Sequence, residues 1–342
     1  MSKEFTYRVL IIGGGVAALR CASLLEAKKI EYLLLERESK VGGHVAQWNT
    51  LFPEGIESAQ LINSPSLSIN PNRISTNKRA ISINKRDGQL FETKTECGRS
   101  YLSNSVIVAT GFELFDASLK EEYGYSLFPG VITNANLEEL FVRPKELMRM
   151  AGEKIAFLHC VGSRDSKSNN MGCSKVCCIT AVKQALKIKE LLPHSSIWLF
   201  YMDLRMFGRG YEELYLKAQK EGVRFVRGRV SEVSQNHKSE LTIKAEDTLI
   251  SKPIKLSVDM LVLMSGMVSD KSNLPLLKSA SVKFGKDGFI DSPNLYSLPS
   301  HTSVEGLFSV GAVNGPKTIP ELMGEAAAAI CEVEKFLKER SL

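Results

Sequence analysis

The chain has 342 residues, 44% hydrophobic and 24% charged, with a formal net charge of +6, the balance of a globular protein with two or three folding units. No apolar run nears the ~18 residues of a spanning helix; the longest, Met260–Val268, is broken by Ser265 and Gly266. No signal-peptide pattern precedes the first glycines and no nucleic-acid module accompanies the basicity, so a cytoplasmic location is expected.

Tyr7–Ile12 reads as a buried parallel strand, Val16–Ala27 as a helix and Glu31–Glu36 as a second strand. Leu51–Asn72 reads as loop. Arg79–Lys94 reads as a hairpin turning at Asp87-Gly88, and Ser105–Ala109 as another buried strand. A second unit opens with a strand at Lys154–Leu158, a helix at Ser174–Leu191 and a strand at Ser196–Met202. Phe225–Val233 and Leu241–Ala245 are expected to continue its sheet, and Asp259–Met264 to close it. Arg224, Arg227 and Arg229 read as a solvated face or partner surface. The tail returns to the first unit with a strand at Leu307–Val310 and a helix at Ile319–Leu337. The fold class is therefore α/β: two doubly wound, Rossmann-like domains, the second inserted in the first. Residues 1–150 and 269–342 form one domain and residues 151–268 the other.

Gly13-x-Gly15-x-x-Ala18 lies between a strand and a helix. Gly13 allows the tight turn, Gly15 lets backbone approach a pyrophosphate, and Ala18 lets helix and strand pack closely. Val16 and Ala17 begin the helix, whose N–H groups and dipole suit phosphate. Glu36, followed by Arg37, stands where a ribose-binding acid is expected. This constellation predicts a dinucleotide.

Four of the seven cysteines fall close together as Cys160-x12-Cys173-x3-Cys177-Cys178. They follow the first strand of the second unit, where a second glycine loop would stand and only Gly162 remains. Cys173 and Cys177, four apart, are expected on one helix face, at an N-terminus whose dipole favours thiolates. An iron–sulfur cluster fits. A zinc site, a Cys173–Cys177 redox disulfide and ordinary core cysteines are the alternatives. Cys21, Cys97 and Cys331 read as ordinary helix and hairpin residues, His159 as structural, and Lys183 from its pattern alone as a solvated helix lysine.

Gly42-Gly43-His44 after the acid, and Ala109-Thr110-Gly111 after a strand, together resemble the two-domain flavoproteins such as thioredoxin reductase. The resemblance implies FAD, with the Ala109–Gly111 turn closing over it and His44 near the flavin. It also implies a strand ending in Gly-Asp; here Gly311 matches and Ala312 replaces the aspartate that bonds the ribitol. Cys160–Ser163 (CVGS), CSKVCC at Cys173–Cys178, AVKQAL, and the run from Phe200 to Val230 resemble the A subunit of heterodisulfide reductase. So do GGHVAQ, ending at Gln47, VATGF, EYGY and GPK. This resemblance implies FAD and a [4Fe–4S] cluster on Cys160, Cys173, Cys177 and Cys178, with Lys183 as a catalytic residue near the flavin N5. The methanogen proteins carry further ferredoxin-type cysteine runs that are not found in this sequence. The chain therefore resembles the short form of the heterodisulfide-reductase-like complex of sulfur oxidisers. That form implies an oxidoreductase subunit in cytoplasmic sulfur oxidation, with partner subunits, a homodimer, no nucleic acid and no membrane span. A chain with one cluster is not expected to bifurcate electrons by itself. The alternatives are a stand-alone NAD(P)H-dependent disulfide reductase and an inert FAD scaffold.

Overall fold

The computed structural model describes residues 5–52, 55–86, 90–237 and 240–340. They form two compact units, the first built of residues 1–46, 58–113 and 268–342 and the second of residues 47–57 and 114–267.

In the first unit, the Phe5–Ile12 strand pairs in parallel with Tyr32–Leu35 on one side and Ser100–Val108 on the other. Leu307–Ser309 adds a further parallel strand beside Ser100–Val108. Val9, Leu10 and Ile11 are wholly buried, as a parallel sheet covered on both faces requires. The helices Val16–Ala27 and Ile319–Glu339 pack on one another. The expected hairpin is present as the antiparallel strands Ala80–Arg86 and Leu90–Thr95; its Asp87-Gly88 turn lies outside the described residues. Within Leu51–Asn72, read as loop, the chain forms a short helix at Ser58–Ile62, and a 3-10 turn at Pro71–Arg73 begins at its end.

The second unit holds a five-stranded parallel sheet in the order Arg224–Arg227, Ser196–Tyr201, Lys154–Val161, Met260–Ser265, Val131–Thr133. The last of these strands draws residues 114–150 into the second unit, whereas the sequence reading divided the chain at 150. Sequence pattern missed Val131–Thr133 because three residues carry almost no periodicity.

Phe225–Val233 does not run as one strand. A β-carbon on Gly228 would meet the Glu246 carbonyl oxygen at 1.8 Å. The chain breaks there, and Val230–Gln235 starts a separate antiparallel meander with Leu241–Asp247 and Lys252–Val258. Among the described residues no helix is long and apolar enough to cross a membrane.

Candidate functional site

The first unit builds a cradle where its strands end. Gly13 has φ +106°, and a β-carbon there would lie 2.4 Å from the Ala109 carbonyl oxygen. The turn is therefore closed to any side chain. Gly15 differs: a methyl group there would meet no described atom within 4 Å. Gly15 caps the Val16–Ala27 helix without a side-chain bond, so the helix start faces open space. Ala18 is fully buried against the strand, with Val16 and Ala17 also buried.

Glu36 is buried, and its carboxylate accepts the Glu38 amide at 2.7 Å. Its other oxygen lies against Gly14, 2.6 Å from where a β-carbon would be. The second glycine turn abuts the first: the Gly42 amide donates to the Gly14 carbonyl at 2.7 Å. A β-carbon on Gly43 would stand 3.1 Å from the Gly15 α-carbon.

Two further expected residues are committed within the unit. Arg37 donates to Asp270 at 3.0 Å and Ser272 at 3.2 Å. Burial raises the Asp270 carboxyl, but bonds from Ser272 outweigh it, and the net shift is downward. Neighbouring Glu113 is pushed up by burial and by Asp270. His44 donates Nε2–H to the Phe112 carbonyl at 2.9 Å. Gln47 is exposed at the end of the Gly43–Gln47 turn. Beyond Ala109, the Thr110 hydroxyl oxygen is buried with no hydrogen-bond partner among the described residues, and Gly111 has φ +78°.

Gly311 has φ +87°, and a β-carbon there would meet that of Ala17 at 2.7 Å. Ala312 offers no carboxylate to this turn, but Glu325, one the sequence reading missed, reaches it from the Ile319–Glu339 helix. Glu325 accepts the Gly311 amide at 2.8 Å and Asn314 Nδ2 at 3.1 Å. Lys317 completes the knot, donating to the Gly311 carbonyl at 3.2 Å and pairing with Glu325 at 3.4 Å. A separation of 14 positions along the chain hid this pairing from any local motif.

The second unit presents a different turn. A β-carbon on Gly162 would fall 1.9 Å from the Phe115 ring. Where the first unit is open beside Gly15, an aromatic ring fills this one. Cys160, Cys177 and Cys178 are all buried. Cys177 stands against both other thiols, and they and its burial raise its own pKa. The Cys177 thiol lowers Cys160 to about 7 against the opposing effect of burial. It also lowers Cys178 to about 4, again against burial and with help from His159.

Cys173 is not on a helix face with Cys177. Lys175 takes φ +61° and the helix starts only at Cys177. The Cys173 sulfur instead accepts the Lys175 amide at 3.3 Å. Among the described residues no three His, Cys, Asp or Glu side chains stand as a metal-binding group. Cys160, Cys177 and Cys178 are buried, and Cys173 is partly exposed on the preceding loop.

That loop is ordered by a buried ion pair. Lys120 donates to Asp165 at 2.7 Å, and Asp165 also accepts from the Lys167 amide and the Ser168 hydroxyl, each at 3.0 Å.

Lys183 is buried, not solvated. Its amine lies 2.5 Å from Glu138 and 2.8 Å from the Thr50 carbonyl. Burial pulls its pKa down and Glu138 partly restores it. Glu138 also accepts from Gln184 at 2.7 Å and the Asn49 amide at 2.9 Å.

Two doubly wound units, one with an open glycine cradle, define a protein of the thioredoxin-reductase-like α/β fold. The match with Lactococcus lactis thioredoxin reductase has a TM-score of 0.70 at 18% identity, covering 97% of this chain and 99% of that one. With T. acidophilum thioredoxin reductase the score is 0.67 at 18% identity, covering 99% of each. Residues 7–143 match the pyridine nucleotide-disulphide oxidoreductase family.

Within that fold, the chain is a homologue of the A subunit of heterodisulfide reductase. It is 37% identical over 234 residues to the A subunit of the H(2):CoB-CoM heterodisulfide,ferredoxin reductase of Methanothermobacter thermautotrophicus, covering 66% of this chain and 36% of that protein. The iron-sulfur A subunit of the CoB--CoM heterodisulfide reductase of Methanocaldococcus jannaschii is 35% identical over 241 residues, covering 67% and 36%. The chain thus spans little more than a third of the length of these relatives.

Proposed function

We propose that this chain is an FAD- and [4Fe–4S]-carrying electron-transfer subunit of a heterodisulfide-reductase-like assembly, an oxidoreductase acting on thiol and disulfide sulfur. One contrast carries the reading: the cradle beside Gly15 is open, while the turn at Gly162 is filled by Phe115 and lined by three buried thiols. The first suits a dinucleotide and the second does not. The orphaned Thr110 hydroxyl and the open cradle fit FAD. Gly13, Gly15, Val16 and Ala17 would hold its pyrophosphate through backbone, and Glu36 its adenosine ribose. Arg37, Gly43, His44, Gln47, Ala109, Thr110, Gly111, Gly311 and Ala312 complete the proposed set, with Arg37 and His44 acting through the partners they already hold.

The donor chemistry at Cys160, Cys173, Cys177 and Cys178 fits iron, since buried thiolates are its preferred protein ligands. Flavin would exchange electron pairs and a cluster single electrons. Lys183 stays the proposed catalytic residue on the resemblance alone. The short-form likeness supports a place in cytoplasmic sulfur oxidation, with partner subunits and a homodimeric chain. The test is anaerobic purification with quantitation of FAD, iron and acid-labile sulfide. Cys177→Ser should lower iron while flavin stays bound; flavin loss at unchanged iron overturns the assignment.

A second reading, an NAD(P)H-dependent disulfide reductase, draws on the adjacent Cys160 and Cys177 thiols. Iron-free protein whose flavin bleaches with NADH would favour it.

A further inference from the structure

Strand alternation should send the side chains of His159 and Cys160 to opposite faces. The pairing with Met260–Ser265 prevents this. It runs Leu263 with Leu158, then Ser265 with Val161, so His159 and Cys160 together oppose the single residue Met264. This is a β-bulge, a device that re-aims side chains beside functional sites. Cys160 absorbs the extra residue with φ +60°. The imidazole stands beside both Cys160 and Cys178.

The imidazole is 6% exposed, yet neither ring nitrogen meets the geometry of a hydrogen bond with any described residue. A buried polar group left unpaired costs about 1–3 kcal/mol. Such a group calls for an explanation at the site it lines.

We infer that His159 is a positioning residue of the cysteine site, donating a ring N–H to the Cys178 sulfur when that sulfur holds the iron–sulfur cluster. The inference rests on the cluster reading above. His159 binds no iron in this role. Its N–H draws electron density from a ligating thiolate, stabilises the more negative reduced state, and so raises the potential. A side chain that only filled space would leave the potential where it was.

The experiment uses the full chain purified anaerobically. Iron and sulfide are quantified, and the cluster is titrated electrochemically with detection by electron paramagnetic resonance. His159→Leu, with no donor, is expected to keep wild-type iron content and shift the midpoint to a more negative potential. His159→Gln, whose amide keeps an N–H, should recover most of that shift. Unchanged potentials in both variants, with iron present, overturn the inference. So does a fall in iron in His159→Leu to the level of Cys177→Ser, which would make His159 a ligand. Should the leucine variant not fold, the unmutated protein labelled with 15N-histidine decides. Its reduced cluster must show a weak nitrogen hyperfine coupling, and absence of that coupling refutes the bond. Wild-type protein without iron sinks the cluster reading and this inference together, and is recognised because Cys177→Ser then matches wild type.

Discussion

The Lys183–Glu138 pair gives the sharpest test of the second unit's interior. Glu138→Leu removes the acceptor for Lys183, for Gln184 and for the Asn49 amide, leaving the amine with only the Thr50 carbonyl. Breaking a buried ion pair by deleting one partner costs about 3–5 kcal/mol. The lysine sets an independent ceiling, because it can shed its proton. From an ordinary pKa of 10.5, neutralising it at pH 7 costs about 5 kcal/mol at ~1.4 kcal/mol per unit.

The sign follows from proton linkage. The folded-state pKa of Lys183 is depressed, so the folded chain binds fewer protons than the unfolded one up to the ordinary lysine value. Stability therefore rises with pH across that window. At pH 9.5 the same ceiling falls to about 1.4 kcal/mol. The deficit of Glu138→Leu relative to wild type should shrink accordingly. Lys183→Met should cost less at pH 7, since Glu138 keeps its two N–H donors. Urea unfolding at both pH values is the assay. Both tryptophans, Trp48 and Trp198, belong to the second unit, so their fluorescence reports its unfolding selectively. A deficit under about 0.5 kcal/mol, the size of an ordinary surface change, or one independent of pH, would refute the reasoning.

Gly15→Ala should leave thermal stability of the flavin-free protein unchanged, since its β-carbon meets open space. It should weaken FAD retention on gel filtration. Gly13→Ala, with φ +106° and a 2.4 Å clash, should instead lower the melting temperature of the flavin-free protein as well. Gly228→Ala, which drives a β-carbon into the Glu246 carbonyl, should destabilise the second unit by about 1–3 kcal/mol in urea. The Asp165 carboxyl is depressed by Lys120, Ser168 and the Lys167 amide, which outweigh burial. Its stabilisation is therefore present above pH 3.8, the ordinary aspartate value, and is lost as pH falls through the lower folded value. Asp165→Asn should flatten acid unfolding below pH 4, followed by circular dichroism.

The elements legible in the amino-acid sequence are those governed by local chemistry. Tyr7–Ile12, Val16–Ala27 and Ser105–Ala109 announce themselves by apolar runs and by glycines whose backbone angles other residues resist. The long helix at Ile319–Glu339 shows its period, and Thr318 with Glu321 forms its capping box. What stayed hidden was non-local. Lys183 looks solvated because its partner lies 45 residues away on another helix. Glu325 lies outside any motif because its partners, Gly311 and Asn314, sit on a turn that only packing brings near. The Phe225–Val233 run looked continuous because the close approach that requires Gly228 is made by Glu246, a residue of a later strand.

The two strand-to-helix turns solve one geometric problem with opposite chemistry. Each must reverse a buried parallel strand into a helix, and each needs left-handed backbone to do it. In the first unit a glycine takes that angle at Gly13, and the backbone at Gly15 stays bare. In the second unit Gly162 at φ +69° is joined by residues with side chains: Cys160 at φ +60°, Arg164 at +55° and Lys175 at +61°. Each such residue costs about 1–2 kcal/mol over glycine, and glycine would serve the turn better at all three. A fold keeps strain of that size where surrounding structure over-determines it, and such places cluster at functional sites. At Cys160 the strained residue is also the one that puts a thiol beside Cys177. The strain and the chemistry coincide at one residue, which ordinary core cysteines would give no reason to expect.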